Sequence, residues 1–181
     1  KCVDIFKSFS RLRLYGLPGQ IGQHINVAAM KTNSSSGQKL VVVKSLIDST
    51  AQGTDIARFH AGQSITIGDN AASEVNTIDS INANTYTLTM VNNLAATYTT
   101  GANGYVKKWP AVLSGTRMVD VRAEMGWPAA LTAFDAGSVT VAELEPQSGG
   151  VPALDHILGV AEAESGVETA LHLVGKTGER R

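Results

Sequence analysis

Thr85-Tyr86-Thr87-Leu88-Thr89-Met90 alternates polar and apolar residues without a break, the pattern of a strand with one wet face and one buried face. The same period runs through the neighbouring stretches. Gly62-Gln63 opens a strand at 64–67, Gly68-Asp69-Asn70 turns it, and a second strand follows at 74–81. Asn82-Ala83-Asn84 turns the chain again into the strand at 85–91, and Gly101-Ala102-Asn103-Gly104 leads into one at 105–109. Alternation fails between Ile78 and Ile81, which predicts a bulge near Asp79-Ser80.

Outside this meander the pattern is more varied. Arg11-Leu12-Arg13-Leu14-Tyr15 reads as a short strand broken by Gly16-Leu17-Pro18-Gly19, and Thr32-Asn33-Ser34-Ser35-Ser36-Gly37 reads as a linker. Residues 39–47 (KLVVVKSLI) form the most apolar strand candidate. Residues 117–122 read as strand, Pro128 with the good helix formers behind it predicts one or two helical turns ending before Gly137, and 138–145 alternates as another strand. Past Pro146-Gln147-Ser148-Gly149-Gly150, residues 151–164 place Leu154, Ile157, Leu158 and Ala161 on one helical face, and 169–174 reads as a last strand.

Together these elements predict a mainly-β chain: an antiparallel sandwich or small barrel, with an extended N-terminal arm and one or two short helices. The expected divisions are an arm and linker at 1–37, a β-core at 38–146, and a C-terminal segment at 147–181 packed on the core or on a neighbour. Composition agrees with this picture, since only 17% of residues are charged and 18 are Gly, a balance that suits turns and strands better than long solvated helices.

The net charge of -1 argues against general attraction to nucleic acid or to an anionic membrane. Its distribution is uneven. Residues 59–106 contain no Lys or Arg, whereas Lys7, Arg11, Arg13 and Tyr15 near one end and Lys176, Arg180 and Arg181 at the other are candidate partner-binding residues on two basic arms. Solvated chain ends are the alternative reading of the same charges. Cys2 is the single cysteine, which excludes an internal disulfide framework and a cysteine metal cluster. No apolar run has the length of a membrane span, and the first residues lack the apolar centre of a signal peptide.

The search for chemistry finds partial matches, each with a structural counterpart. Ala170-Leu171-His172-Leu173-Val174-Gly175-Lys176-Thr177 misses the first Gly of a phosphate loop, and Gly16, Gly19 and Gly22 lack the G-x-G of a dinucleotide turn. His24, His60, His156 and His172 form no closely spaced pair for a metal. Glu143 and Glu145 share a strand face, as a glycosidase pair or calcium site requires, and Asp69, Asn70 and Glu74 offer oxygens around a turn without the spacing of an EF-hand. Asn33-Ser34-Ser35 matches a glycan acceptor but sits in a loop sequence. Tyr86, Tyr98, Tyr105 and Trp109 would make a sugar-binding platform only if stacked on an exposed face; on a buried face they are core. No catalytic residue, cofactor site or metal site is therefore expected.

Gly62-Gln63-Ser64-Ile65-Thr66-Ile67, Glu74-Val75-Asn76-Thr77-Ile78, Thr85-Tyr86-Thr87-Leu88-Thr89 and Thr100-Gly101-Ala102 carry a resemblance. This segment resembles the small β-domains that recur in structural proteins of tailed bacteriophages. The resemblance covers about a quarter of the chain and rests on strand-and-turn chemistry. It implies a non-enzymatic virion component, and with basic arms around a charge-poor core, a capsid cement or decoration protein on the capsid surface. Its expected partners are the major capsid protein, other virion subunits and copies of itself, bound through arms and strand edges. A head-tail connector, a fibre-base module or a carbohydrate-binding adhesin are the alternatives.

Overall fold

The alternation across residues 64–90 is realised as an antiparallel meander at the centre of the fold. The computed structural model describes residues 13–14, 17–18, 24–25, 27–44, 59–126, 134–144 and 151–165. Among these the strands are β1 (Arg13–Leu14), β2 (Leu17–Pro18), β3 (His24–Ile25), β4 (Val27–Ala29), β5 (Leu40–Val42), β6 (Ser64–Gly68), β7 (Ser73–Asn82), β8 (Thr87–Met90), β9 (Tyr105–Lys108), β10 (Val112–Leu113), β11 (Thr140–Val141) and β12 (Val151–Pro152). Two helices join them, α1 (Ser114–Glu124) and α2 (Ala153–Ser165).

Six strands form one antiparallel sheet in the order β4-β9-β6-β7-β8-β5. The sheet curls until its edge strands meet: Met30 and Val43 bridge, Lys31 N–H donates to Val42 O at 2.8 Å, and Lys44 N–H donates to Ala29 O at 2.9 Å. Curling gives the sheet an inside, and the period-2 pattern fills it. Ile65 and Ile67 of β6, Ile78 of β7, Leu88 and Met90 of β8 and Val106 of β9 are all buried there with Val41, Val43, Met30, Phe59 and Tyr98. Each such side chain contributes about 1.5–3 kcal/mol by leaving water. The fold is thus mainly β, as the patterning predicts, and the described residues add two helices and three two-stranded ladders to the curled sheet: β1-β12, β2-β3 and β10-β11.

The bulge falls where alternation fails. Ile78 pairs with Met90 but Ser80 pairs with Thr89, a register shift that leaves Asp79 unpaired and exposed. Other expectations change. The stretch at 85–91 begins its strand only at Thr87, because Asn82 Oδ1 accepts the Asn84 and Thr85 N–H groups at 3.1 and 3.2 Å and Tyr86 turns the chain at φ 56°. Residues 117–122, expected as strand, belong to α1. The expected strand at 138–145 is reduced to β11, while 151–164 contains the expected helix, α2. Pro128 and the stretch at 169–174 lie outside the described residues.

A second, smaller core of Trp109, Val121 and Ala153, with Met125, Leu144 and Ile157 packed against it, holds the helices to one another and to the end of β9. α1 starts without a side-chain cap. Its first amides are instead taken by the chain that passes over it, Ser114 N–H by Val139 O at 2.9 Å and Gly115 N–H by Ala136 O at 3.1 Å.

Candidate functional site at the seam between sheet and helices

Along β9 the side chains at Val106 and Lys108 fall on the same buried face, so an amine arrives where an apolar residue is expected. A charge in that position needs a partner. α1 supplies it, because Arg117, Asp120, Val121 and Glu124 recur at the i, i+3, i+4, i+7 spacing of one helical face. Lys108 Nζ lies 2.8 Å from Glu124 Oε2, with side-chain exposures of 1% and 10%. The same oxygen accepts from Gln63 Nε2 at 2.7 Å and stands 3.5 Å from His60 Nε2.

One turn earlier, Asp120 is 1% exposed and Arg117 is 0% exposed. Asp120 Oδ1 accepts the Ser64 N–H at 2.6 Å, which ties α1 to the start of β6. Arg117 Nη2 donates to Pro110 O at 2.6 Å and Ala142 O at 3.1 Å. The two cations flank one indole, Lys108 Nζ at 5.3 Å and the Arg117 guanidinium carbon at 5.6 Å from the Trp109 ring centroid. Trp109 adopts φ 58°, the left-handed region, which turns the chain out of β9 at a cost of roughly 1–3 kcal/mol.

Burial governs the ionisation of this seam. It pushes the Asp120 carboxyl up to about 7, against the opposing pull of the Ser64 amide and of the Arg117 and Lys108 charges. Burial also lowers the Arg117 guanidinium, and it lowers His156 of α2 to about 4, helped by the Arg117 charge. Asp120 Oδ2, Arg117 Nε and Nη1 and His156 Nε2 are buried without a hydrogen-bond partner among the described residues. The arrangement joins the helices to the sheet through charges shielded from solvent, and its groups reach each other and the backbone.

A second carboxylate links α2 to the start of α1. Glu164 accepts from Ser114 Oγ at 2.5 Å, Ser138 Oγ and N–H at 2.7 Å each, and Val139 N–H at 3.0 Å. Those donors, the Ser114 hydroxyl foremost, hold its carboxyl down at about 2. Gly115 and Gly137 allow the close approach: a Cβ on Gly115 would stand 1.8 Å from Asp135 O, and Gly137 has φ 77° with a Cβ position 1.8 Å from Ser114 Oγ.

The residues singled out by sequence are distributed as follows. Arg13 pairs through β1 with Pro152 of β12, so this part of the arm is bound within its own chain. Lys7, Arg11, Tyr15, Lys176, Arg180, Arg181 and Cys2 lie outside the described residues, as do His172, Glu145 and the segment from Ala170 to Thr177. Glu143 forms an ion pair with Lys107. The Asp69 and Glu74 carboxylates among the candidate calcium ligands are used internally. Asp69 Oδ1 accepts the Ala71 and Ala72 amides at 2.9 and 3.2 Å, Asp69 Oδ2 accepts the Thr99 amide at 3.1 Å, and the Ala71 amide foremost lowers its carboxyl. Glu74 Oε2 accepts the Ala95 N–H at 2.7 Å and the Tyr98 hydroxyl at 2.9 Å. Burial, with Glu74 beside it, raises the Tyr98 phenol above its ordinary value.

Tyr98 and Trp109 are buried, and Tyr86 is half-buried against the main core, so these rings form no exposed platform. Asn33 Oδ1 accepts from Thr100 N–H at 2.9 Å and from its hydroxyl at 3.1 Å, bracing two loops. No group of three or more His, Cys, Asp or Glu side chains that could hold a metal occurs among the described residues. No helix among them is long and apolar enough to cross a membrane. Sequence reasoning missed the seam because its charged residues occupy helix positions normally read as apolar. The available signal was the spacing of Arg117, Asp120, Val121 and Glu124 beside an inward Lys108.

Compared with protein-family models and with curated proteins, the chain matches none.

Proposed function

We propose that this chain is a non-enzymatic virion structural protein, of the capsid cement or decoration type, that binds neighbouring shell subunits. The observation that carries the reading is the outer face of the curled sheet. Val75 is 53%, Leu40 52% and Val91 44% exposed on β7, β5 and the end of β8. Register places them close together: Leu40 pairs with Thr89, and Val91 N–H donates to Thr77 O at 2.8 Å. Val75, Thr77, Thr89, Val91, Leu40 and Val42 therefore share an outer surface, with Lys39 Nζ on Val91 O at 2.7 Å and the Lys107–Glu143 pair beside Val75 at its margins. Exposed aliphatic residues among threonines with charges at the margin suit contact with another protein.

The resemblance of the strand-and-turn motifs to phage structural domains supports the same reading, as do the carboxylates spent on internal bracing. The mode of binding shifts, however. Because β4 and β5 meet at Met30 and Val43, the main sheet offers little free edge, and faces and arms take the role first expected of strand edges. The test is co-sedimentation with shells assembled from the major capsid protein encoded alongside this chain. Saturable binding, weakened at least tenfold by Leu40→Lys with Val91→Lys, is expected; pelleting that is absent or indifferent to both changes refutes the reading.

A further inference from the structure

Between the start of α1, the segment at 134–139 and the end of α2 lies a cleft of about 340 Å³. Met118, Phe134 and Val160 give it apolar walls, Asp135 and Glu164 add two carboxylates, and no Lys, Arg or His is among its described lining residues. Phe134 keeps 39% of its surface exposed, and Asp135 beside it is exposed too. Glu164 is held by four hydrogen bonds and stays ionised, so it fixes the wall and leaves it negative.

A cleft that is apolar within and anionic around it suits a segment whose aromatic or aliphatic side chains are interleaved with cations. The chain contains one. In residues 1–12, Lys1, Lys7 and Arg11 outweigh Asp4 and are interleaved with Val3, Ile5, Phe6, Phe9 and Leu12. The basic residues at the other end, Lys176, Arg180 and Arg181, stand among Gly, Thr and Glu without a large apolar neighbour after Val174.

We propose that the cleft between α1 and α2 receives residues 1–12 of a second copy of this chain. The contact is heterologous, so each copy offers one arm and one cleft, and repetition gives a ring or an open array. The proposal rests on the assembly reading above and gives it a surface. Individually modest contacts of this type gain strength by repetition.

The test uses the full-length chain under reducing conditions, with self-association measured by sedimentation equilibrium. Asp135→Lys alters the cleft, and Lys7→Glu with Arg11→Glu alters the arm. Each is expected to weaken association about tenfold or more, because like charges then face each other. An equimolar mixture of the two variants is expected to recover association, the intact arm of one entering the intact cleft of the other. A wild-type chain that stays monomeric, an association indifferent to either variant, or a mixture that recovers nothing overturns the proposal; the last is also the outcome if the arm folds into the cleft of its own chain. If purified particles contain the chain while its association ignores both variants, the cleft assignment fails and the virion reading stands. If the swap behaves as expected and the chain is absent from particles, the reverse holds.

Discussion

Asp120 and His156 respond to pH in opposite senses, and replacing one should reveal the other. The Asp120 carboxyl has an ordinary value of 3.8 and a folded value of about 7, so between these limits the folded chain holds a proton that the unfolded chain has lost. Stability from this group therefore falls as pH rises, by about 1.4 kcal/mol per unit and on the order of 4 kcal/mol in all. His156 moves from 6.5 down to about 4, so in that window the unfolded chain holds the extra proton and stability rises with pH, by up to about 3 kcal/mol. The two windows overlap from about 4 to 6.5, and the wild-type curve should be nearly flat across them. Asp120→Asn keeps an oxygen for the Ser64 amide and removes the ionisation, which should expose the rising His156 slope. The assay is urea unfolding at half-unit steps from pH 4 to 8, following the midpoint for both proteins. Parallel curves for wild type and Asp120→Asn would show that the seam does not set the ionisation of Asp120, and the reasoning would fail.

Three further outcomes follow from the same contacts. Glu164→Gln should speed hydrogen exchange at the Ser138 and Val139 amides; the carboxylate's contribution is present above about 4.5 and lost as pH falls towards 2, so protection of these amides in the wild type should decline over that range and not in the variant. Gly137→Ala introduces a side chain at φ 77° against Ser114 Oγ and should cost about 2–4 kcal/mol by denaturant unfolding, with an unchanged midpoint counting against the close approach of this segment to α1. Tyr98→Phe removes the hydroxyl bonded to Glu74 and should cost about 1 kcal/mol, measured the same way; a neutral result would mean that this bond braces nothing.

How much of this was legible depended on which residues fill the buried positions. Where Ile, Leu, Val and Met occupy them, as in β6, β7 and β8, the strands and the bulge beside Asp79 could be read from alternation and the turns from Gly and Asn, although alternation also carried β8 back over Thr85 and Tyr86, which turn. In α1 the buried face carries Arg117, Asp120 and Glu124, so no apolar stripe marks the helical period and residues 117–122 read as strand. Its start carried no capping side chain either, because carbonyls at 136 and 139 supply the missing bonds from a distant part of the sequence. The candidate sites failed for a related reason. Asp69 and Glu74 have the oxygens that a ligand would use, and only the fold shows backbone amides and a hydroxyl already bound to them. Closure of the sheet at Met30 and Val43 was likewise hidden, since a single bridge between distant segments leaves no local pattern.

The central claim is that this chain works as a part of a virion, through its surface. Cryo-electron microscopy of purified native particles, with mass spectrometry of the same sample, tests it most directly. The account predicts the chain at fixed, symmetry-related positions, with the face bearing Leu40, Val75 and Val91 against a shell subunit; particles from which the chain is absent would contradict it.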